Sequence, residues 1–168
     1  VHYAYHIDVS AVADKVTAVG ANEVTDEDTL VHLSTLAATY GDLTDGSETH
    51  TVEIRGVDAD AKLTDVSGVE YAYVIAGNGT KTYTLSPADV GSVYFLPPPD
   101  ESGTFSGMSI VAIAREASNG DQETASAPIQ VVVTPVADAV EITAPAQATD
   151  EDTAITFGDD ITLTVNDP

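Results

Sequence analysis

The chain contains no cysteine and no tryptophan, and only five of its 168 residues are basic. Without cysteine there is no disulfide framework, no thiolate metal site and no thiol nucleophile. That absence fits a secreted bacterial protein that unfolds for export and uses ions as staples. Without tryptophan there is no indole platform on which a sugar ring would stack. No apolar stretch approaches the roughly 18 residues of a membrane span, and no signal peptide is visible, so membrane insertion is not expected. A chain opening on Val1 instead of Met is expected to be a piece of a longer protein or a mature product. Against Lys15, Arg55, Lys62, Lys81 and Arg115 stand 28 acidic residues, for a net charge of −23. Such a field repels phosphate backbones and anionic lipid, which removes nucleic acid and membrane surfaces from the expected partners. It attracts multivalent cations. Self-repulsion opposes a compact state unless something neutralises it, and calcium is the common extracellular counter-ion. Apolar residues still make up 43% of the chain, enough for a core.

What is present is, first, a repeat. Val9-Ser-Ala-Val-Ala-Asp14-Lys-Val16 returns as Val133-Thr-Pro-Val-Ala-Asp138-Ala-Val140, and Thr25-Asp-Glu-Asp-Thr29 returns unchanged as Thr149-Asp-Glu-Asp-Thr153. Both matches share the offset 124, without a gap, and ten of the twenty-one positions from 9 to 29 are identical. The period divides the chain into residues 1–13, the last strand of a preceding copy; 14–137, one complete copy; and 138–168, the start of the next. A unit this long is a bead on a string, not a solenoid turn that needs neighbours for its core.

Short β-branched and aromatic runs bounded by Gly, Pro, Asn and Asp predict strands at 30–36, 49–57, 69–76, 80–85, 93–96, 103–114 and 125–134. Tyr71-Ala-Tyr73-Val-Ile75 and Met108-Ser-Ile110-Val-Ala-Ile113 alternate cleanly, so Tyr71 and Tyr73 are expected to share a face packed into the core. Asn78-Gly79 predicts a type I′ hairpin turn and Asn119-Gly120 a second hairpin. Ser86-Pro-Ala-Asp-Val90 predicts one helical turn. The fold class is therefore all-β, an immunoglobulin-like or cadherin-like sandwich of about seven strands, with a barrel or jelly roll as the alternative.

The ordered set of Glu27-Asp28-Thr29, Asp45-Gly-Ser-Glu48, Gly56-Val57, Ser102-Gly-Thr-Phe105, Asn119-Gly-Asp121 and Pro135-Val-Ala-Asp138 resembles the cadherin-like or immunoglobulin-like tandem domains of giant type I-secreted, repeats-in-toxin adhesins of Gram-negative bacteria. The resemblance covers residues 14–138. It implies a secreted, cell-surface location and a calcium-rigidified extender that holds adhesive tip modules away from the cell, in adhesion or biofilm formation. The glycine-rich nonapeptide coils of that family's secretion end are absent. The first linker also departs from the pattern: it reads Ala11-Val-Ala-Asp14-Lys15, without the proline of Pro135.

The acidic residues themselves fall in turns. Calcium takes six to eight oxygens at about 2.3–2.6 Å, and turns supply both carboxylates and carbonyls not consumed by a ladder. The expected metal ligands are Asp26, Glu27 and Asp28 before a strand, Asp42, Asp45 and Glu48 around a Gly-containing turn, Asp121 in a hairpin, and Asp14 and Asp138 in the linkers. Glu151 and Asp152 repeat the first cluster. The first junction is expected to join Asp14, Glu27 and Asp121; the second, Asp138 with Glu151 or Asp152, plus Asp45 and Glu48. The plainer reading is that these are solvated turn carboxylates, with Asp26 or Asp28 capping a turn. No EF-hand is present, since Asp58-Ala-Asp60 lacks the glycine and distal glutamate. His2, His6, His32 and His50 offer no zinc spacing. Ser47, His50 and Asp45 lack a nucleophile elbow. No enzyme is expected. The expected partners are neighbouring repeats of the same chain; the rival function is a calcium-dependent domain near an adhesin tip that binds a host or biofilm glycan or peptide. Residues 154–165 pose a separate problem, a strand without a sandwich. They are expected to pair with strand 3–9 of another molecule, or else the domain is phased differently from the repeat.

Overall fold

The computed structural model describes residues 4–43, 46–137, 139–144, 146, 148–155 and 161–166. Thirteen strands are formed among them: β1 (Val16–Val19), β2 (Asn22–Asp26), β3 (Val31–His32), β4 (Ala37–Tyr40), β5 (Glu48–Val57), β6 (Lys62–Thr64), β7 (Tyr73–Ile75), β8 (Lys81–Leu85), β9 (Tyr94–Leu96), β10 (Gly103–Glu116), β11 (Gln122–Thr134), β12 (Ala139–Thr143) and β13 (Thr162–Asn166). Among the described residues the single helical element is the 3₁₀ turn Val90–Ser92, beside the turn expected at 86–90.

The first eleven strands make a two-layer sandwich. One layer runs β2-β11-β10-β5-β8-β7, with β2 parallel to β11 and the other pairs antiparallel. The other is assembled from the pair β1-β4 and the trio β3-β9-β6, joined because β3 runs on into β4 through the turn at Ser34-Thr35. In immunoglobulin lettering this is A-B-E-D facing A′-G-F-C, with strand A split into β1 and β2 and strand B into β3 and β4. Seven lettered strands are therefore present, and the hairpin β7-β8 extends the second sheet beyond C.

The core lies between the layers. Val52 and Ile54 from β5, Ile110 from β10, Ile129 and Val131 from β11, Phe95 from β9 and Leu33 are fully buried. Their i, i+2 spacing is what a one-sided strand requires. Towards the end where β1 and β4 sit, Val16, Ala112 and Ala114 form their own cluster, with Ala18, Ala38, Ala125 and the larger Tyr40 packed against it. Gly20, between β1 and β2, marks the point where the chain changes layers. A Cβ at that position would lie 1.7 Å from the Pro128 carbonyl oxygen, so only glycine fits.

Several expectations change. Strands 49–57 and 80–85 match β5 and β8, but 69–76 contracts to the three residues of β7. The Asn78-Gly79 hairpin is not type I′, because Asn78 keeps a negative φ. The Gly79 N–H donates to the Ala76 carbonyl (2.9 Å), and Gly79 takes φ 88°, a type I turn followed by a glycine bulge. Tyr73 is not a core residue: it is 42% exposed, while Tyr83 opposite it is fully buried. The strand expected within residues 154–165 is not isolated, since β13 pairs antiparallel with β12 of the same chain. Displaced by 124, these are the counterparts of β1 and β4. Val16 faces Tyr40, whereas Val140 faces Val165, one residue out of step with the first copy.

Candidate functional site

Carboxylates gather at the two ends of the sandwich, each beside a linker. At the first, Asp121 follows the β10-β11 loop and its Oδ2 accepts the Ala13 N–H at 2.9 Å. Asn119 shapes that loop: its Oδ1 accepts the Asp121 N–H (2.8 Å) and its Nδ2 donates to the Ala11 carbonyl (2.7 Å). Glu48, at the start of β5, accepts the Asp14 N–H with Oε1 and lies 3.1 Å from His50 Nε2 with Oε2. Its side chain is 3% exposed. The Tyr40 ring packs tilted against the His50 ring, with centroids 4.5 Å apart, and burial raises the Tyr40 hydroxyl above its ordinary range. Glu116, directly opposite Glu48 in the β5-β10 register, is buried as well. Asp42 lies at the same end, since neighbouring Gly41 donates its N–H to the Lys15 carbonyl (2.9 Å).

At the other end, Glu27 follows β2. Its N–H donates to the Thr134 carbonyl (3.0 Å) and its Oε1 accepts the Val136 N–H. Asp26 Oδ1 accepts the Thr134 hydroxyl, and Asp28 Oδ1 accepts the Asp100 N–H (3.2 Å). Asp28 and Asp100 both take positive φ, 56° and 58°. The parallel pairing of β2 with the end of β11 brings this cluster to the second linker.

The expected grouping is thereby rearranged. Glu27 does not share a junction with Asp14, and Glu48 belongs to the first linker, not the second. Asp121 opens β11 and Glu27 sits at its close, about 40 Å away at the rise of an extended strand. Glu151 and Asp152 repeat the Glu27 turn: Asp152 has φ 64°, and the Thr149 hydroxyl donates to the Thr153 carbonyl (3.0 Å) as the Thr25 hydroxyl does to that of Thr29 (3.2 Å). By that equivalence Glu151 takes the place in its own copy that Glu27 takes in this one. Asp45 and Asp138 lie outside the described residues. Glu116 and Asp100 were not singled out by sequence, and Asn119 was read only as a turn residue and as part of the resemblance. Asp100 follows a proline triplet and precedes Glu101, and it is marked by its positive φ and by its N–H bond to Asp28.

At both ends the carboxylate oxygens lie against linker backbone, and carboxylate and carbonyl oxygens are the donors that calcium takes. Among the described residues, however, no three acidic or histidine side chains converge as a ready-made cage. Any full shell would draw oxygens from an adjoining domain or from backbone.

A third polar cluster staples β7-β8 to the sandwich. Buried Lys81 donates to the Ala61 carbonyl (2.9 Å) and to Glu70 Oε1 (3.1 Å), and the Tyr83 hydroxyl donates to the same oxygen (2.7 Å). Burial pushes the Tyr83 hydroxyl well above its ordinary range, and Glu70 adds to the shift. Burial alone would raise Glu70; the hydrogen bonds from Tyr83 and Lys81 and the charges of Lys81 and Lys62 outweigh it and hold the carboxyl below its usual range. Two depressions open on the surface of the described residues. One, of about 230 Å³, lies between Asp28, Asp60, Lys62 and Pro97; the other, of about 240 Å³, lies over Gly56, Gly107 and Phe105.

No helix among the described residues is long and apolar enough to cross a membrane. No family model matches the chain, and no curated protein matches it. Among solved structures, it is similar to AggA, the major subunit of aggregative adherence fimbriae type I from Escherichia coli, at 13% identity and a TM-score of 0.33, over 77% of this chain and all of that one. It is also similar to the PKD domain of human KIAA0319, at 13% identity and a TM-score of 0.29, over 87% of this chain and all of that one. Likenesses this distant say nothing of function, and the fold assignment stands on the strand order alone.

Proposed function

We propose that this chain is a calcium-stabilised extender module of a secreted, cell-surface bacterial adhesin, one bead of a tandem array. The observation that carries the reading is that carboxylates of the sandwich reach out to both linkers. Asp121 and Glu48 hold the N–H groups of Ala13 and Asp14, and Glu27 holds that of Val136. Each linker is thus gripped by an acidic end, and in an array the Glu27 end of one bead would meet the Glu48 end of the next across residues 134–138. Two carboxylate clusters facing each other repel unless a cation lies between them. Bound calcium would neutralise both and supply a rigid set of bonds between domains. Asp14, Asp42, Glu48, Glu116 and Asp121 are the candidate donors from one side, and Asp26, Glu27, Asp28 and Asp100 from the other.

The bead phasing has its own support. Tyr5, Ile7 and Val9 stand 124 positions before Ile129, Val131 and Val133, the buried face of β11, yet are 89%, 81% and 88% exposed. They carry the apolar face of a last strand whose sheet belongs to a preceding copy.

Titration calorimetry with calcium tests the proposal. Saturable binding is expected, weakened at least in part by Glu48→Gln and by Glu27→Gln separately. Absence of binding at millimolar calcium, or binding that neither substitution alters, would refute it.

A further inference from the structure

The free edge of the six-stranded sheet offers a different surface. β7 is the last strand of that sheet, and Tyr73, Val74 and Ile75 are all exposed, at 42%, 65% and 66%. The stretch from 71 to 76, Tyr-Ala-Tyr-Val-Ile-Ala, carries no charge and no proline in a chain of net charge −23. Sheet edges are ordinarily blunted by Lys, Pro, bulges or inward charges, and the opposite edge of this sheet obeys that rule, since β2 carries Glu23 and Asp26. The acidic residue nearest to β7 in sequence, Glu70, is already engaged by Lys81 and Tyr83.

We propose that β7 is a homotypic contact, pairing antiparallel with β7 of a second copy. The register decides which backbone groups are available. The Ala76 N–H donates to the Thr80 carbonyl and the Thr84 N–H to that of Ala72, so residues 72, 74 and 76 face β8 and residues 73 and 75 face away. The Tyr71 N–H is taken by the Leu63 carbonyl. The N–H and C=O of Tyr73 and Ile75 therefore form a self-complementary set. About a two-fold axis at Val74, Tyr73 of each copy meets Ile75 of the other in four hydrogen bonds. The two Val74 residues then face each other in the close, non-hydrogen-bonded position. Charge leaves this edge open to a second copy: without a bridging cation, two chains this acidic approach most easily where the strand is uncharged, as residues 71–76 are. The contact is small and weak alone, but one per bead would multiply along paired rods.

Sedimentation of the full chain and cysteine trapping test the contact. Wild type should self-associate with rising concentration, and more strongly as salt is raised from about 0.01 M to about 1 M, where the Debye length falls from about 30 Å to about 3 Å. Val74→Lys should weaken association about tenfold or more, because it sets like charges directly opposite. Val74→Cys, the sole thiol, should give a disulfide-linked dimer under mild oxidation, whereas Val24→Cys on the opposite edge should not. Val24 and Val74 are both well exposed, so the variants should fold, which circular dichroism verifies. A wild type that stays monomeric in high salt, association unchanged by Val74→Lys, or equal trapping through Val24 and Val74 would overturn the proposal.

Discussion

Lys81 lies in phase with Tyr83 and Leu85 on the inward face of β8, so its side chain is only 7% exposed, and its ammonium is satisfied by Ala61 and Glu70. Glu70→Gln should cost about 1–3 kcal/mol in urea unfolding, the range for losing a charged partner of a buried group that keeps another acceptor. The pH dependence has two signs. The folded-state pKa of Glu70 is depressed, so its contribution is present above the ordinary carboxylate range near about 4.3 and is lost as pH falls through the folded value. That of Tyr83 is raised, so its contribution is present below about 10 and is lost as pH climbs towards the folded value. Unfolding of wild type against Glu70→Gln and Tyr83→Phe across pH should show the acid slope shrink in the first variant and the alkaline slope in the second. Gly20→Ala should destabilise by roughly 1–3 kcal/mol or prevent folding, since the added methyl meets backbone and not a yielding side chain.

At the scale of elements, the long strands were legible because their periodicity and their burial agree. In β10 and β11, residues alternate over enough length for composition to speak. The strands β1, β2, β4 and β6 are three to five residues long and were not read. Val16-Thr-Ala-Val19 and Lys62-Leu-Thr64 are too short to show a period, and their pairing is decided by neighbours far along the chain. The Asn-Gly turns were located correctly but typed incorrectly at 78–79, because loop length and not the dipeptide chooses between turn classes. The split of strand B is a tertiary effect: Ser34 leaves the ladder to donate its N–H and hydroxyl to Glu23. Packing at this scale predicts that Phe95→Ala, which removes a fully buried ring 5.5 Å from Phe105, lowers stability by about 3–5 kcal/mol in chemical denaturation.

For the molecule as a whole, the offset of 124 and the acidic excess were readable without coordinates, while the assignment of carboxylates to ends was not. Asp14 and Asp121 are 107 positions apart yet attend one linker, and Asp26 and Asp100 attend the other. Which turn faces which end depends on whether an even or odd number of strands separates them, and the missed short strands altered that count. Glu48 and Glu27 exchanged places for this reason alone.

The central claim is that calcium holds together acidic ends that would otherwise push apart, and thermal unfolding at matched ionic strength addresses it directly. At calcium about 100-fold above the dissociation constant, binding to the folded state adds about 2.7 kcal/mol. For a domain near this size that raises Tm by about 10 °C over the chelator-treated protein. Glu48→Gln should remove part of the rise. Identical Tm values in millimolar calcium and in chelator, with sodium chloride balancing the charge screening, would contradict the account.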